Sequence, residues 1–459
     1  MQVASREGAY DVRRSRYDAR MLSFPKTATA PFCPSEVAGS IVVPADLPWW
    51  KKVARFAGPG LLVSVGYMDP GNWATDIEAG SRFGYRLLFV VLLSSLAAMM
   101  LQCLAARLGI ATRKDLARLS SERYPKAIGR IQWVLAEISI ISCDLAEVLG
   151  SALAFKLLFG VSLPVGVALT ALDTFIVLGL QGRGFRRVEA IILGLVGTIG
   201  LCFVVQLFLV GPDWAAVAKG FVPSLHAVSA QEPLYLAIGI LGATIMPHNL
   251  YLHSSVVQTR AVSGTEGKRE AIRLTRLDTI GSLSLALLIN AAILVVAAAA
   301  FHGTGRTDVA DIGDAYELLA PIAGTTLAAI AFAIGLFASG QSSTFTGTIA
   351  GQVIMDGFLH FKLPCWQRRL ITRGLAIVPA FIGVTVMGDR AIGELLVASQ
   401  IVLSIQLPFA MYPLIRFTDD RELMGGFANT RLVSCVAWLL FATISLANVW
   451  LVAQVFGLA

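Results

Sequence analysis

A proline and a glycine interrupt the first long apolar segment of the chain, next to a carboxylate. The segment covers about residues 57–81, and Asp69-Pro70-Gly71-Asn72 stands in its middle. Proline removes a backbone donor and clashes with the preceding turn, and glycine tolerates almost any backbone angle, so we expect the helix to break there. Carbonyl groups freed inside hydrocarbon must face protein, water or an ion. An ionisable residue at this depth therefore indicates a functional site.

A second interruption of the same kind follows 177 positions later. Met246-Pro247-His248-Asn249 lies within an apolar segment of about residues 234–257 and repeats the pattern X-Pro-X-Asn. A single proline in a membrane helix is usually a kink, because neighbouring groups can satisfy the freed carbonyl. Two interrupted segments at corresponding places in two halves of a chain instead indicate the binding site of a transporter. The pair, with an aspartate in one copy, favours this second interpretation.

The composition places these segments in a membrane. The 459 residues are 56% hydrophobic and 15% charged, with a mean hydropathy of +0.70, whereas soluble domains contain about 25% charged residues. We therefore predict an all-α integral membrane protein with eleven transmembrane helices, each near the ~20 residues needed to span a bilayer. They cover about residues 57–81, 87–110, 131–155, 162–181, 188–210, 234–257, 277–301, 318–340, 370–387, 393–415 and 431–456.

The distribution of basic residues predicts the orientation. With strict alternation of the loops, roughly 31 of the 37 Lys and Arg residues fall on one side, which should be the cytoplasmic side. The N-terminus is then cytoplasmic and the C-terminus is outside. The net charge of +7 follows from these short basic loops, so we expect a lipid bilayer around the chain and no nucleic-acid partner. No obligate protein partner is evident.

The segments divide the chain into two halves of five. We predict a cytoplasmic tail over residues 1–50, a first repeat over 51–210, a second repeat over 211–415, and the eleventh segment within 416–459. Repeating an odd number of spans inverts the second half in the membrane. This arrangement places a binding site at the interface of the two repeats, where the broken helices meet.

The third segment carries three carboxylates. Glu137, Asp144 and Glu147 fall within an arc of about 80° on one helix face. Carboxylates along one face of a spanning helix suggest a path for protons or cations. In the alternative interpretation, Glu137 lies near the membrane edge and the other two pair with arginines. We favour the path for Asp144 and Glu147, and leave both alternatives open for Glu137.

Other polar residues within the segments are less specific. Cys143 should behave as a small hydrophobe, and no disulfide is predicted. The eighth segment is predicted to end in the small polar stretch 339–344, which favours close helix packing or, less often, a wet cavity. Gln400 and Gln406 lie among aliphatic residues of the tenth segment. A buried amide needs a partner, and Gln400 could reach the centre.

The two interruptions together offer an unusual set of metal ligands. Asp69 supplies a charged oxygen, Asn72 an amide oxygen and Met246 a thioether, and the unwound turns offer carbonyl oxygens near Gly66 and Ala243. Oxygen ligands suit any hard divalent ion, but sulfur favours transition metals over Ca²⁺ and Mg²⁺. The set predicts Mn²⁺ or Fe²⁺. Most buried methionines fill cores instead, but the position of Met246 immediately before the proline favours a ligand.

Metal binding should be coupled to proton movement. Binding requires the ionised form of Asp69, so a proton held there would be released. His248 and the face formed by Asp144 and Glu147 could carry it away. Two rival functions remain at this stage, a sodium-coupled amino-acid transporter and an intramembrane metalloenzyme. Asp69 would repel a substrate carboxylate in the first, and the second lacks a suitable constellation of His and Glu residues.

The motifs resemble those of one family. The two interruptions, together with Gly340-Gln341-Ser342-Ser343-Thr344 and the following Gly347-Thr348, resemble the signatures of Nramp divalent metal transporters over about residues 50–456. The resemblance implies a LeuT-like 5+5 inverted repeat with helices 1 and 6 broken. It also implies alternating access in a bacterial inner membrane, with proton-linked import of Mn²⁺ and Fe²⁺ and acceptance of Cd²⁺, Co²⁺ and Zn²⁺. The metal and protons are transported, and no resident cofactor is expected.

The resemblance also implies roles for individual residues. The metal ligands are Asp69, Asn72, Met246 and the Ala243 carbonyl, with Gln400 joining them when the site is closed from inside. The proton route includes His248, Asp144 and Glu147 and continues to an arginine of the ninth segment, for which Arg369 and Arg373 are both candidates.

Overall fold

The computed structural model describes residues 38–43, 47–172, 185–359, 365–388 and 391–455, and these are mostly helical. The first half contains α1 (Trp49–Phe56), α2 (Pro59–Val65), α3 (Pro70–Phe83), α4 (Leu88–Thr112), α5 (Leu116–Arg123), α6 (Lys126–Phe159), α7 (Leu163–Thr170), α8 (Phe185–Val210) and α9 (Trp214–Gly220). The second half contains α10 (Gln231–Thr244), α11 (Pro247–Val256), α12 (Gly264–Ala300), α13 (Ile312–Ala323), α14 (Thr326–Leu359), α15 (Cys365–Met387), α16 (Ala391–Asp419), α17 (Arg421–Met424) and α18 (Arg431–Val455).

The helices agree with a chain that crosses a membrane many times. Within the described ranges, eight helical stretches are long and apolar enough to span, and two shorter apolar helices cover Pro59–Met68 and Ile371–Met387. Most of the predicted tail and residues 173–181 of the predicted fourth segment lie outside those ranges. The count of eleven and the domain boundaries therefore stay predictions.

Both interruptions break their helices as predicted. The first segment consists of α2, a single 3-10 turn over Gly66–Met68, and α3, which begins at Pro70. The sixth segment consists of α10 and α11, which begins at Pro247. Each proline occupies the first position of its helix, where the missing N–H has no intrahelical partner to lose.

The predicted bounds of the eighth segment, 318–340, are wrong. Residues 318–323 belong to α13, and Gly324, with a left-handed φ of 68°, caps the C-terminus of this helix. The next helix, α14, continues to Leu359, so the polar stretch 339–344 lies in its middle and not at its end. Ser339, Ser342, Ser343 and Thr344 are buried, and their small size permits close packing inside the protein.

The long helices α12 and α14 hold the broken segments in place. Helix α12 packs against α2, α3 and α4, and α14 packs against α6, α8 and α11. Close approaches occur at glycines. Gly109 of α4 lies so near α11 that a Cβ atom there would overlap the carbonyl oxygen of Ser254.

We expect Gly109→Ala to lower the stability of the protein relative to Gly194→Ala. Both changes gain about 1 kcal/mol of helix propensity. Only the first overpacks an interface, at a cost of about 1–3 kcal/mol, because a Cβ atom at Gly194 meets nothing within 4 Å. Thermal unfolding midpoints of the two variants in the same detergent measure the difference. Equal midpoints would show that α4 and α11 can separate without cost.

Candidate metal centre

Asp69 lies at the N-terminus of α3 and is fully buried. Its Oδ1 atom accepts hydrogen bonds from the backbone N–H of Asn72 at 3.0 Å and from Asn72 Nδ2 at 2.6 Å. The first bond is an N-cap, which satisfies a backbone donor that has no partner within the helix. Its Oδ2 atom has no hydrogen-bond partner among the described residues. One carboxylate oxygen is therefore fixed while the other stays available.

Side chains of neighbouring helices satisfy the carbonyl groups that the first break frees. Asn290 of α12 donates to the carbonyl of Tyr67 at 2.7 Å. The carbonyl of Met68 accepts from the indole of Trp73 at 3.3 Å and from the hydroxyl of Ser339. Gly66, a predicted ligand, begins the 3-10 turn, and a Cβ atom there would overlap the amide of Asn249. The break is thus held by α12 and α14 and lies against α11.

One side-chain atom of the first break, Asn72 Nδ2, contacts the second break. Met246 has extended backbone angles, with φ −76° and ψ 122°, and Ala243 lies in the last turn of α10. Asn72 Nδ2, which donates to Asp69, also donates to the carbonyl oxygen of Ala243 at 3.0 Å. Candidate oxygen ligands from both broken helices therefore converge within hydrogen-bond distance of a single position.

Met246 and Gln400 are the other two predicted ligands. Met246 is fully buried and packs with Cys143 and Leu403. A Cβ atom at Gly71 would overlap Gln400 Nε2, and the same point lies 3.0 Å from Asp69 Oδ2. The amide of Gln400 donates to Ser399 Oγ at 3.0 Å, while its Oε1 atom has no partner among the described residues.

Gln400, and not Gln406, reaches the break. Gln406 follows six residues later on α16, a rise of about 9 Å along the helix. Helix periodicity alone left both amides in range of the centre. The structure shows that Gln400 is the one at the break, because its amide occupies the space that a side chain at position 71 would fill. Gly71 leaves that space free.

A chain of polar groups leads away from Met246. The Nε2 atom of His248 lies 3.7 Å from Cys143 Sγ, and this thiol lies 3.6 Å from Glu147 Oε1. Arg373 of α15 donates to Glu147 Oε2 at 3.5 Å. The structure therefore brings His248, Glu147 and Arg373 together, and the ion pair between Glu147 and Arg373 agrees both with the predicted route and with the alternative in which the carboxylates pair with arginines. The side chain of Arg369 lies outside the described residues.

Cys143 packs with Met246 and Leu403 as the small hydrophobe that was predicted, but it also has two polar contacts that were not predicted. The thiol is buried, but it stands between the imidazole of His248 and the carboxylate of Glu147. The sequence carried one signal for this arrangement, since Cys143 precedes Glu147 by four positions and shares its helix face. The distance to His248 depends on packing between α6 and α11, which no local pattern reveals.

Asp144 and Glu147 both face α14 at Gly347. A Cβ atom at this glycine would lie 3.0 Å from Glu147 Oε1 and 3.3 Å from Asp144 Oδ1. Both carboxylates are buried. Glu137 is different, since it is half-buried and accepts a hydrogen bond from the indole of Trp133 at 3.0 Å. This position favours the membrane-edge alternative for Glu137.

Two polar networks that the sequence did not reveal fix the α2 side of the centre. Arg260 is fully buried and donates to the carbonyls of Phe56 and Ala57, and it forms a 2.9 Å ion pair with Glu189. Asp278 of α12 accepts from the backbone of Gly60 at 2.7 Å. The connection between α1 and α2 is thereby tied to α8 and α12.

The second network lies nearer the break. Gln102 of α4 donates to the hydroxyl of Tyr67 at 2.8 Å, and its Oε1 atom lies 3.0 Å from Nδ1 of His253. All three side chains are buried. They close the space between the 3-10 turn, α4 and α11.

The ligand types differ from those of an ordinary protein metal site. Among the described residues, no group of three or more His, Cys, Asp and Glu side chains could hold a metal ion. The candidate centre instead combines one carboxylate with amide, carbonyl and thioether groups. This composition suits an ion that is bound and then released, because a lower charge and fewer strong donors weaken binding.

Comparison with known proteins gives matches over almost the whole chain. Residues 60–454 match the protein family described as natural resistance-associated macrophage protein-like, Nramp. The divalent metal cation transporter MntH of Ralstonia nicotianae is 70% identical over 437 residues, which cover 95% of this chain and 99% of that protein. The divalent metal cation transporter MntH 1 of Pseudomonas aeruginosa is 67% identical over 437 residues, with the same coverage.

Solved structures agree with these matches. A mutant of the Eremococcus coleocola manganese transporter has a TM-score of 0.87 at 39% identity, with coverage of 93% of this chain and 92% of that chain. A nucleobase-cation-symport-1 family transporter in a closed conformation has a TM-score of 0.59 at 12% identity, with coverage of 86% and 89%. At that identity the second similarity shows the fold alone.

Proposed function

The chain belongs to the Nramp family and is a multi-pass divalent metal cation transporter with a LeuT-like fold, and we propose that it imports Mn²⁺ and Fe²⁺ together with protons. Cd²⁺, Co²⁺ and Zn²⁺ are further proposed substrates. The proposed membrane is the bacterial inner membrane, with the N-terminus in the cytoplasm and the C-terminus outside. The excess of Lys and Arg on one side of the spans supports this orientation.

The position of Asn72 Nδ2 is the main observation that supports the proposal. This atom lies 2.6 Å from Asp69 Oδ1 and 3.0 Å from the carbonyl oxygen of Ala243. An ion that replaced it, with the amide turned so that its oxygen faced inward, would bind three oxygen ligands from both broken helices. The buried Met246 adds a soft donor, which favours Mn²⁺ and Fe²⁺ over Ca²⁺. Gln400 Oε1 is a further oxygen without a partner among the described residues.

The two polar networks beside α2 support alternating access. We propose that the ion leaves toward the cytoplasm when the first half of the broken helix moves away from α11. That movement must break the hydrogen bonds of Arg260 to the carbonyls of Phe56 and Ala57, and the bond between Gln102 and Tyr67. These bonds have directional partners and can re-form, so α2 has a defined closed position to which it can return.

Uptake of Mn²⁺ into proteoliposomes tests the proposed function. We expect an inward proton gradient to accelerate uptake, and Mn²⁺ addition to acidify the lumen. Amino acids should neither compete with the metal nor be transported. Metal uptake that is independent of the proton gradient, with no acidification, would contradict the proposed coupling.

Neutralising Glu147 should separate metal binding from proton movement. We expect Glu147→Gln to lower metal-stimulated proton flux by roughly tenfold or more, because buried ionisable groups form proton relays in membrane transporters, while Mn²⁺ binding is retained. A pH-sensitive dye in the vesicle lumen measures the flux, and isothermal titration measures the binding. Glu137→Gln is the matched control, since Glu137 lies on the same helix outside the relay. An unchanged metal-stimulated proton flux in a triple variant that neutralises Glu147, Asp144 and His248 would contradict the proposed route.

A further inference from the structure

A short part of the predicted cytoplasmic tail, residues 38–43, pairs with the backbone that follows α11. Ile41 donates from its N–H to the carbonyl of Thr259 at 3.0 Å and accepts at its own carbonyl from the N–H of Ala261 at 2.9 Å. These two bonds form a parallel β-bridge between Ile41 and Arg260. Residues 38–43, here called the strap, are therefore tied to the end of the sixth segment.

The side chains of the strap alternate between the protein and solvent. Ile41 and Val43 are half-buried, whereas Val42 between them is 63% exposed. This alternation is expected of an extended segment that lies with one face on the protein. Val43 packs against a small apolar cluster that contains Phe56 of α1 and Val257, the first residue of the 3-10 turn after α11. The strap thus joins the cluster in which α1 meets the end of α11.

The backbone partner of the strap is also the residue that holds the connection between α1 and α2. The side chain of Arg260 donates to the carbonyls of Phe56 and Ala57 and pairs with Glu189. Its neighbours in the chain, Thr259 and Ala261, are bonded to the strap. The strap therefore supports the position from which Arg260 holds α1 and α2 near α11.

The attachment of the strap is short. With a further bond from the N–H of Gly39 to the carbonyl of Gln258 at 2.9 Å, the pairing comprises three backbone hydrogen bonds among the described residues. A pair of short strands outside a larger sheet is only marginally stable in water. The strap can therefore detach and attach again without unfolding of the helices below it.

We propose that the strap is a releasable lock on the cytoplasmic side of the transporter, which keeps α1 and α2 against α11 while it is attached. Movement of α1 away from α11 would separate Phe56 from Val257 and so divide the cluster on which Val43 packs. Only five residues, 44–48, connect the strap to α1. The strap must therefore detach before the ion leaves toward the cytoplasm. This inference rests on the proposed function.

A reversible cross-link between the strap and its partner segment tests the inference. Val43 and Val262 each lie two positions beyond the bridged pair, and both pack against the same cluster. The double variant Val43→Cys, Val262→Cys is treated in detergent with a short, reducible, thiol-specific cross-linker and is then reconstituted. We expect the linked protein to lose at least about four-fifths of its Mn²⁺ uptake, because the strap cannot detach, and to regain it after reduction. Mass spectrometry verifies the link.

The controls separate the inference from the proposed function. The unaltered chain and the two single cysteine variants receive the same reagent and should transport as before. If the unaltered chain takes up no Mn²⁺, the proposed function fails. If it transports and the linked double variant transports equally well, the lock is wrong while the function stands. Loss of uptake in a treated single variant would also overturn the lock, because attachment of the reagent and not the link would then be the cause.

Two neighbouring proline variants provide a readout that needs no cross-link. Ile41→Pro removes the N–H at the centre of the bridge, whereas Val42→Pro removes an N–H that has no backbone partner among the described residues. Proline is tolerated in an edge strand where its missing N–H would face solvent, so Val42→Pro should keep the strap attached.

Release of the strap should lower the fraction of protein that is closed toward the cytoplasm and open to external metal. The apparent affinity falls with that fraction, so we expect KM for external Mn²⁺ to rise roughly threefold to tenfold in Ile41→Pro. The value for Val42→Pro should stay within about twofold of the unaltered chain. Equal KM values in the two variants would overturn the inference, whether both rise or neither does.

Discussion

Asp69→Asn is expected to abolish Mn²⁺ uptake while leaving the protein folded. Asp69 is the one charged ligand in the proposed set, and it lies in a fully buried position. Removing one partner of a buried ion pair costs about 3–5 kcal/mol, which corresponds to roughly a hundredfold to several-thousandfold weaker binding. Asparagine is as good an N-cap as aspartate, so the start of α3 should persist. Isothermal titration measures the loss of Mn²⁺ binding, and proteoliposome assays measure the loss of Mn²⁺ uptake.

Asp115→Asn is the matched control for this change. Asp115 caps α5 through the same geometry, since its Oδ1 atom accepts from the backbone of Arg118 at 2.8 Å. It lies outside the spanning helices and outside the candidate centre. We expect this variant to bind and transport Mn²⁺ normally. If Asp69→Asn also bound Mn²⁺ with native affinity, the charged oxygen would not be a ligand and the proposed centre would be wrong.

The two broken helices were predictable because their cause is local. A proline next to a glycine or a polar residue, in the middle of each of two apolar segments, disfavours a continuous helix at both places. The third-segment carboxylates were also accessible, since helix periodicity alone places Asp144 and Glu147 on one face. These patterns could not predict the distances between side chains on different helices. That Asn72 bridges Asp69 and Ala243 depends on how α3 packs against α10, 171 positions apart in sequence.

The features that the sequence did not predict share a physical origin. Cys143, Tyr67 and Gln102 are ordinary residues by composition, and their roles arise only when α4, α6 and α11 come together. Arg260 follows the sixth segment, where a basic residue is typical of a cytoplasmic loop, yet it is fully buried beside Glu189. The end of the eighth segment was misplaced because small polar residues lower hydropathy whether they face water or another helix. In α14 they face other helices, and the helix continues.

Met246→Ala is expected to remove the discrimination between Mn²⁺ and Ca²⁺. The thioether is the only soft donor of the proposed set, and oxygen ligands alone accept Ca²⁺ as readily as Mn²⁺. The unaltered chain should take up Mn²⁺ and exclude Ca²⁺. In the variant we expect Ca²⁺ uptake to become measurable and the preference for Mn²⁺ to fall by roughly tenfold or more, which corresponds to about 1.4 kcal/mol or more. Competition between the two ions in proteoliposomes measures this ratio.

Cavity formation must be distinguished from loss of a ligand, because Met→Ala in a core costs about 2–5 kcal/mol of stability in any case. Met411→Ala is the matched control, since Met411 is also fully buried but packs in the main hydrophobic core. It should lose stability and keep its selectivity. Met246→Leu then preserves volume without sulfur, and we expect it to lose selectivity as the alanine variant does. If Met246→Leu still excluded Ca²⁺, the side chain would act by its size, and selectivity would have to come from the oxygen ligands and the dimensions of the closed site.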